Sequence, residues 1–327
     1  MVSRTKFEID NKTIASLFQA AGLDGAADIT PLGAGEYNAV FSVKAGGEEY
    51  AIKIAPQETV PILTYEIDMM ASEMFWYQQI KEHTQIAVPK IFASDLEKKQ
   101  IPAEYFIMEK LPGQPLNTMK LTPDEKQDSN TQLAQMAAQI HKIKNDKFGY
   151  IQNALYDDWY QAIRAMTQAC IDDCARKGKQ SPNGLKLLAY IDRHQAVLQQ
   201  AESCMVNFDL HSGNIVAKRA NGVLQYAWID PERSFWGDRI CDFVCLEMMK
   251  PFAEKKDSLA AYNAAAEQPV LATKEESIRY AAAQAYIGLI METEKYFRYS
   301  RRHFGWWRNV GACMWLFPSA FKVLESA

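Results

Sequence analysis

The sequence predicts an α+β protein with a small, strand-rich N-terminal part and a larger, mainly helical C-terminal part. Two observations carry this prediction: short apolar segments of strand type precede residue 112, and helical spacing of apolar residues dominates after it. The chain has 327 residues, of which 48% are hydrophobic and 23% charged, which is enough for a sizeable core. The segment Leu111-Pro-Gly-Gln-Pro-Leu116 is the best linker candidate and divides the chain into residues 1–112 and 113–327.

The N-terminal part begins with a short amphipathic helix, residues 10–21, that ends at Gly22. Two strands follow around the Gly46-Gly47 pair, which is typical of a tight hairpin turn. A longer helix and two more strands complete the pattern. The predicted elements are strands at 38–43 and 49–54, a helix at 63–83, and strands at 88–92 and 105–108.

The C-terminal part is mainly helical, with strand-like segments near its middle. The Asn221-Gly222 pair between two such segments indicates a second hairpin. The predicted elements are helices at 130–143, 157–177 and 184–202, a strand at 205–208, hairpin strands at 215–218 and 224–229, and helices between 240 and 327.

Charge and composition exclude several classes of partner. The formal net charge of -4 leaves no basic excess to neutralise phosphates, which argues against nucleic acid. The chain has no apolar run of about 18 residues, so we expect no membrane span. Its first residues lack the apolar stretch of a signal peptide, and its six cysteines form no C-x-x-C pair, which favours reduced thiols over a zinc site. We therefore expect a cytoplasmic protein, with its oligomeric state left open.

Asp209 and Asn214 are the first candidates for chemistry. A phosphoryl-transfer loop uses their D-x-x-x-x-N spacing, in which the Asp accepts or orients the attacking hydroxyl and the Asn holds a metal ion. The spacing alone is a weak signal, because both residue types are common in loops. Asp230 strengthens it, since a hairpin returns its second strand to the place where the first began. Two oxygen ligands for Mg²⁺ would then lie close together.

Lys53 lies inside an apolar strand, where a lysine must be paired or face a ligand. It is a candidate for binding nucleotide phosphates, and the alternative is an edge-strand lysine whose stem covers apolar surface. Glu66 and Glu73 are seven residues apart on the following predicted helix, so either carboxylate is placed to orient this lysine. The Gly33-Ala-Gly35 turn before the strand pair would let backbone amides approach phosphates, with an ordinary hairpin turn as the alternative.

Three further polar residues are expected to support the structure. Asp238 and Asp242 straddle a loop-to-helix start, where we expect helix capping and support of the neighbouring loops. His141 ends an apolar helix face and is expected to be a buried structural histidine.

Together these segments resemble the aminoglycoside phosphotransferase and choline kinase-like families, which share the two-lobed protein-kinase-like fold. The matching segments occur in family order and extend over about residues 30–243. They are Leu32-Gly-Ala-Gly-Glu-Tyr-Asn38, Ala51-Ile-Lys53, Val88-Pro89, Phe106-Ile-Met-Glu-Lys-Leu-Pro-Gly113, residues 133–141, Phe148-Gly149, Asp209-Leu-His-Ser-Gly-Asn214, Ile229-Asp230 and Gly237-Asp-Arg-Ile-Cys-Asp242. The resemblance implies a small-molecule kinase, a phosphotransferase with an alcohol group as acceptor.

The resemblance also implies a role for each candidate residue. Lys53 would bind the nucleotide phosphates. Glu73 would orient Lys53, because its distance to the Val88-Pro89 strand start fits the family pattern, and Glu66 is the fallback. Asp209 would be the catalytic base. The remaining implied roles are nucleotide contacts by Gly33, Gly35 and the hinge residues Met108, Glu109 and Leu111, and Mg²⁺ binding by Asn214 and Asp230.

The resemblance implies ATP as the phosphoryl donor, with GTP as the alternative, and Mg²⁺ as the cofactor. The implied acceptor is a small hydroxylated molecule such as an aminoglycoside, an amino sugar or an amino alcohol. Helices within residues 114–205 and 245–327 would build its pocket. The Ile-Asp-Pro segment is also similar to fructosamine kinases, which keeps a metabolic acceptor open.

Asn207-Phe208 is a departure, because many family members carry His-Gly immediately before the catalytic Asp. We expect altered packing of this loop with activity retained. A nucleotide-binding pseudokinase that transfers nothing is the alternative.

A cationic acceptor is one option, because carboxylates and aromatic faces that suit a cation are frequent in the expected pocket segments. Solvated helix faces and a packed C-terminal core are the alternative explanation. The side chains concerned are the acids Asp157, Asp158, Asp172, Asp173, Glu292 and Glu294 and the aromatics Tyr296, Phe297, Tyr299, Trp306, Trp307 and Trp315.

Overall fold

The computed structural model describes residues 6–33 and 37–327. Its strands are β1 (Ala27–Pro31), β2 (Ala39–Ala45), β3 (Glu48–Ile54), β4 (Ile91–Asp95), β5 (Tyr105–Glu109), β6 (Gln114–Pro115), β7 (Ser203–Val206), β8 (Ile215–Ala220), β9 (Val223–Trp228) and β10 (Phe235–Asp238). Its helices are α1 (Asn11–Ala20), α2 (Met69–His83), α3 (Pro123–Ile140), α4 (Trp159–Arg176), α5 (Pro182–Arg193), α6 (Gln195–Leu198), α7 (Lys256–Asn263), α8 (Lys274–Arg298) and α9 (Phe304–Ser326). The predicted α+β class, with strands first and helices later, is confirmed.

The N-terminal strands form one antiparallel sheet of order β1-β2-β3-β5-β4. β2 and β3 are joined by a two-residue turn in which Ala45 pairs with Glu48. Gly46 and Gly47 both have positive φ, 58° and 89°, which this hairpin turn needs. Because β3 is a central strand, Lys53 does not lie at a sheet edge, and the edge-strand alternative for it is wrong.

Helices cover the two faces of this sheet. On one face, Phe18 of α1 packs in a cluster with Ile52. On the other, Tyr77 of α2 packs with Ala51. Side chains alternate along a strand, so Lys53 shares the face of Ala51 and points toward α2.

The C-terminal part is organised around α8, which is buried over most of its 25 residues. α9 packs along α8, and α4 and α5 pack against it from another side. Two small antiparallel sheets, β10-β7 and β6-β8-β9, carry the loops of the candidate site. Within residues 6–33 and 37–327, none of the helices has the length and apolar character needed to cross a membrane.

The predicted linker folds back onto the C-terminal part. β6 pairs with β8, so that Gln114 lies opposite Ala217. Gly113 has a φ of 127°, and a Cβ at this position would lie 2.4 Å from the carbonyl oxygen of Ala217. Only glycine allows this approach of the two backbones.

Several predicted elements have different bounds. The helix expected at 63–83 is interrupted, because a 3₁₀ turn at Thr64–Glu66 is followed by Asp68 in the left-handed region, and α2 begins only at Met69. The sequence does not reveal this break, because apolar residues keep helical spacing across it. The strand expected at 88–92 begins at Ile91, and the helix expected at 130–143 begins at Pro123 behind a Thr122 capping box.

Candidate active site

A buried carboxylate holds the loop that carries Asp209. The Asp242 Oδ2 and Oδ1 atoms accept the backbone N–H groups of Asn207 at 3.1 Å and Phe208 at 2.6 Å. His141 Nε2 lies 2.9 Å from Asp242 Oδ2, and its Nδ1 lies 2.9 Å from the hydroxyl of Tyr262. Asp242 is buried and supports the loop, and His141 is a buried structural histidine, as the sequence predicted.

The Asn207-Phe208 pair makes specific contacts in this loop. Asn207 Oδ1 accepts the backbone N–H of Asp209 at 3.1 Å, and its Nδ2 donates to Ser234 Oγ at 3.3 Å. Phe208 has a φ of 60°, and its ring packs against Phe235 and Tyr286. Asn207 therefore supplies hydrogen bonds to the loop, and Phe208 fixes it to the core.

Asp209, Asn214 and Asp230 come together at the base of the β8–β9 hairpin. Asn214 Nδ2 donates to the carbonyl oxygen of Asp209 at 3.0 Å and to its Oδ2 at 3.2 Å. The Ile229 N–H donates to the carbonyl oxygen of Asn214 at 2.9 Å, which places Asp230 next to that residue. The Asp230 side chain is 37% exposed, so its carboxylate faces an accessible cleft.

Lys53 lies at the centre of a carboxylate cluster. Its Nζ donates to Glu73 Oε2 at 2.7 Å, Asp230 Oδ1 at 2.9 Å and Glu232 Oε2 at 2.8 Å. Burial alone would lower the pKa of Lys53, but these three carboxylates outweigh it and raise that pKa. Burial also raises the pKa of Glu73 to about 8, although Lys53 opposes the shift. The arrangement leaves more negative charge around Lys53 than one ammonium group balances.

Glu66, the alternative partner for Lys53, lies in a different network. Arg298 of α8 forms a buried ion pair with Glu66 and lies 3.4 Å from Glu294. Glu294 Oε1 also accepts a hydrogen bond from the Tyr65 hydroxyl at 3.0 Å and one from Arg233 at 2.6 Å. A chain of alternating charges thus connects the segment before α2 to α8.

The sequence interpretation missed Glu232 and Arg233. Glu232 shares Lys53 with Glu73 and accepts a hydrogen bond from Asn38 Nδ2 at 2.9 Å. Arg233 Nε lies 3.8 Å from Asp209 Oδ2. The Asp-Pro-Glu-Arg segment could have indicated both residues, since it places two charged side chains just after a predicted metal ligand.

The described residues expected to contact the nucleotide lie near the ends of two strands of the N-terminal sheet, β1 and β5. Met108 and Glu109 end β5, and the Glu109 N–H donates to the carbonyl oxygen of Lys90 at 2.8 Å. Leu111 follows as the chain leaves the sheet. Gly33 has a φ of 74° in open space, and Gly35 lies outside the described residues.

A cavity of about 880 Å³ opens on the C-terminal side of Asp209. Its charged lining includes Asp209, Arg233 and Glu294, which are joined by the contacts given above. Its apolar lining comes from the segment before α3, the loop after the 3₁₀ turn at Arg239–Val244, and α8. The cavity therefore places Asp209 beside a wall of charged and apolar side chains.

Three known proteins are similar to this chain over part or most of its length. A subtelomeric hrmA-associated cluster protein of Aspergillus fumigatus is 29% identical over 143 residues, which are 43% of this chain and 28% of that protein. The aminoglycoside phosphotransferase APH(4)-Ia, as a thermostable mutant in ternary complex with AMP-PNP and hygromycin B, is 16% identical with a TM-score of 0.60, covering 95% of this chain and 97% of that chain. A microcompartment-associated aminopropanol kinase is 17% identical with a TM-score of 0.62, covering 97% and 98%.

The structural neighbours confirm the predicted two-lobed, kinase-like fold. Residues 28–278 match the APH phosphotransferase enzyme family, which is most of the chain. This match confirms the predicted enzyme class at the level of a phosphotransferase. The chain therefore belongs to the APH phosphotransferase enzyme family.

Proposed function

We propose that this protein transfers the γ-phosphoryl group of ATP to a hydroxyl of a small acceptor. The observation that carries the proposal is the meeting of Lys53, Asp209, Asn214 and Asp230 in one cleft between the N-terminal sheet and the helical part. A phosphoryl-transfer enzyme needs a cation for the phosphates, a base for the hydroxyl and oxygen ligands for Mg²⁺. The complex of APH(4)-Ia with AMP-PNP supports ATP over GTP as the donor.

In this proposal, nucleotide binding falls to residues of the N-terminal part, residues 1–112. Lys53, held by Glu73, binds phosphate oxygens in place of the Asp230 and Glu232 carboxylates that it also contacts. Backbone groups of the hinge residues hold the base. The hinge residues are Met108, Glu109 and Leu111, and the glycines beside the phosphates are Gly33 and Gly35.

The C-terminal part, residues 113–327, carries the chemistry. Asp209 accepts the proton of the acceptor hydroxyl as its oxygen attacks the γ-phosphorus, and the bond from phosphorus to the β-phosphate bridging oxygen breaks. Asn214 holds the Asp209 carboxylate from one side, and Arg233 lies near it on another. These contacts keep the base oriented toward the cavity.

Asn214 and Asp230 are the proposed Mg²⁺ ligands, and Glu232 accepts from the same Lys53 ammonium group as Asp230. Their oxygen donors fit the preference of Mg²⁺, which takes one or two carboxylates and completes its shell with phosphate oxygens and water. When bound, the metal neutralises phosphate charge during transfer.

A cytoplasmic location is part of the same proposal, because ATP is available there. All six cysteines are free thiols in the structure, which suits a reducing compartment.

A pseudokinase that binds nucleotide without transfer is the second candidate, and the Asn207-Phe208 departure motivates it. Asn207 accepts a hydrogen bond from the Asp209 N–H and donates one to Ser234, and both bonds argue for an intact loop instead. The two candidates differ in one measurement. Phosphoryl transfer that disappears in Asp209→Ala, with nucleotide binding retained, supports the kinase, whereas nucleotide binding with no transfer in the unaltered protein supports the pseudokinase.

A further inference from the structure

The carboxylates that line the cavity beside Asp209 are already satisfied by the protein. Glu294 accepts from Arg233 at 2.6 Å and from the Tyr65 hydroxyl at 3.0 Å, and Arg298 lies 3.4 Å away. Its side chain is only 4% exposed. These contacts saturate Glu294 with positive charge, so it offers no free charge to a cationic acceptor.

The other acidic residue of the wall is engaged as well. Glu247 accepts the backbone N–H of Ser258 at 3.1 Å and forms an ion pair with Lys250. Lys126, an exposed residue of α3, adds a positive charge to the same cavity. Among the described lining residues, Asp209 is thus the carboxylate left for the acceptor, and the proposed chemistry already requires it.

The cavity also offers no aromatic surface to a cation. None of the phenylalanine, tyrosine or tryptophan side chains in residues 6–33 and 37–327 lines it. Recognition of a quaternary ammonium group by cation–π contacts needs several such faces. Of the acids and aromatics that suggested a cationic acceptor, Glu294 alone among the described residues reaches this wall.

The remaining wall is apolar and adaptable. Ile287 and Met291 lie one turn apart on α8 and lead toward Glu294. Met119 and Leu121 face the cavity from the segment before α3, and Met248 contributes from a loop where its side chain is 49% exposed. Unbranched methionine side chains adapt to the shape of an apolar ligand.

We propose that the acceptor is an amphipathic alcohol of zero or negative charge, with its hydroxyl at Asp209 and its apolar portion against Met119, Met248 and Met291. The cavity volume of about 880 Å³ suits a molecule of drug-like size. This inference rests on the proposed function of the same site. It sets the substrate class apart from polycationic aminoglycosides and from choline-like amines.

The test uses the full chain with radiolabelled ATP and Mg²⁺ and compares three acceptor classes: alkyl glucosides with medium-chain hydroxy acids, aminoglycosides with four or more amines, and quaternary amino alcohols. We expect kcat/KM for the first class to exceed that for the other two by about tenfold or more. A higher value for either cationic class overturns the inference. If no acceptor is phosphorylated, the melting temperature of the protein with AMP-PNP is measured with each acceptor class instead. An increase with the first class alone supports the inference, and an increase with either cationic class overturns it.

A wall variant separates this inference from the proposed function. Met291→Glu places an unpaired carboxylate on the apolar wall, so we expect the KM of an alkyl glucoside to rise about tenfold while the KM of ATP is unchanged. Met314→Glu is the matched control, because Met314 is 75% exposed on α9, away from the cavity, and we expect no change there. An unchanged alkyl glucoside KM in Met291→Glu overturns the inference, whereas absence of nucleotide binding in the unaltered protein overturns the proposed function.

Discussion

At Phe208 an unfavourable backbone conformation is combined with favourable packing of the side chain. Its φ of 60° lies in the left-handed region, which costs a residue with a Cβ roughly 1–2 kcal/mol. Its ring is fully buried, with centroids 5.3 Å from Phe235 and 5.8 Å from Tyr286. Loss of a buried Phe ring costs roughly 3–5 kcal/mol, which exceeds the strain. The packing therefore stabilises the backbone conformation that glycine would adopt without strain.

We predict that Phe208→Gly lowers the free energy of unfolding by about 2–3 kcal/mol, because the lost packing outweighs the relieved strain. Urea unfolding measures the change. Asn221→Gly is the matched control, since Asn221 also has a positive φ, 53°, but is exposed in the β8–β9 turn, and there we expect no loss. Phe208→Gly as stable as the unaltered protein would contradict this account.

At the scale of elements, the sequence predicted hairpins more accurately than helix boundaries. Asn221-Gly222 predicts a two-residue turn, and the structure has one, with Ala220 paired to Val223. The break before α2 was not predictable from spacing. It depends on Glu66, whose carboxylate accepts the Leu63 N–H at 2.8 Å and pairs with Arg298, more than 200 residues away in the chain.

In the candidate site, too, contacts within one hairpin were predictable from the sequence, whereas contacts between distant segments were not. Local spacing was enough to bring Asp209, Asn214 and Asp230 together, because one hairpin connects them. Arg233 contacts Glu294, which lies in a distant segment of the chain, so no local sequence pattern predicts this contact. A resemblance was needed to prefer Glu73 over Glu66 for Lys53, and the structure shows that contact at 2.7 Å.

Lys255 anchors the loop that carries Met248. It is fully buried and donates to the carbonyl oxygens of Leu246 at 2.6 Å and Glu247 at 2.7 Å. Burial lowers the pKa of Lys255 to about 8. An unfolded lysine has a pKa of about 10.4. Between these values the unfolded chain holds a proton that the folded chain has released, so stability gains from this group as the pH rises.

We predict that the free energy of unfolding of the unaltered protein, minus that of Lys255→Met, increases from about pH 8 to about pH 10.4. The subtraction removes other titrating groups that both proteins share. Urea unfolding at half-unit pH steps measures this difference. A difference that is flat or falls over this window would show that Lys255 titrates normally in the folded protein.

At the scale of the whole molecule, Arg298 connects the C-terminal helices to the segment that leads into α2. It pairs with Glu66 and Glu294 while its side chain is 8% exposed, and its guanidinium lies 5.0 Å from the ring of Tyr37. Removal of one partner from a buried ion pair leaves an uncompensated charge. α2 carries Glu73, so the position of this segment affects the contact between Glu73 and Lys53.

We predict that Arg298→Met lowers the free energy of unfolding by about 3–5 kcal/mol, because the buried carboxylate of Glu66 loses its arginine partner and Glu294 keeps Arg233. Adding Glu66→Gln to this variant should restore part of the loss. Arg164→Met is the matched control: its pair with Asp192 is 44% and 45% exposed, and we expect a change below about 1 kcal/mol. Equal stability of the Arg298 and Arg164 variants in urea unfolding would contradict the role of this network.

The proposed function assigns nucleotide binding to residues 1–112 and phosphoryl transfer to residues 113–327. A substitution at Asp209 should therefore reduce transfer without weakening nucleotide binding. Asp209→Ala removes the proposed base but leaves Lys53, Glu73 and the hinge unchanged. General-base catalysis contributes roughly a hundredfold to ten-thousandfold to a rate.

Single-turnover transfer from radiolabelled ATP to a phosphorylatable alcohol, at nucleotide concentrations that saturate both proteins, is the most direct measurement. We predict product from the unaltered protein, a rate lower by about a hundredfold or more in Asp209→Ala, and equal ATP affinity in the two. Equal transfer rates in the two proteins would contradict the central claim that Asp209 performs the chemistry.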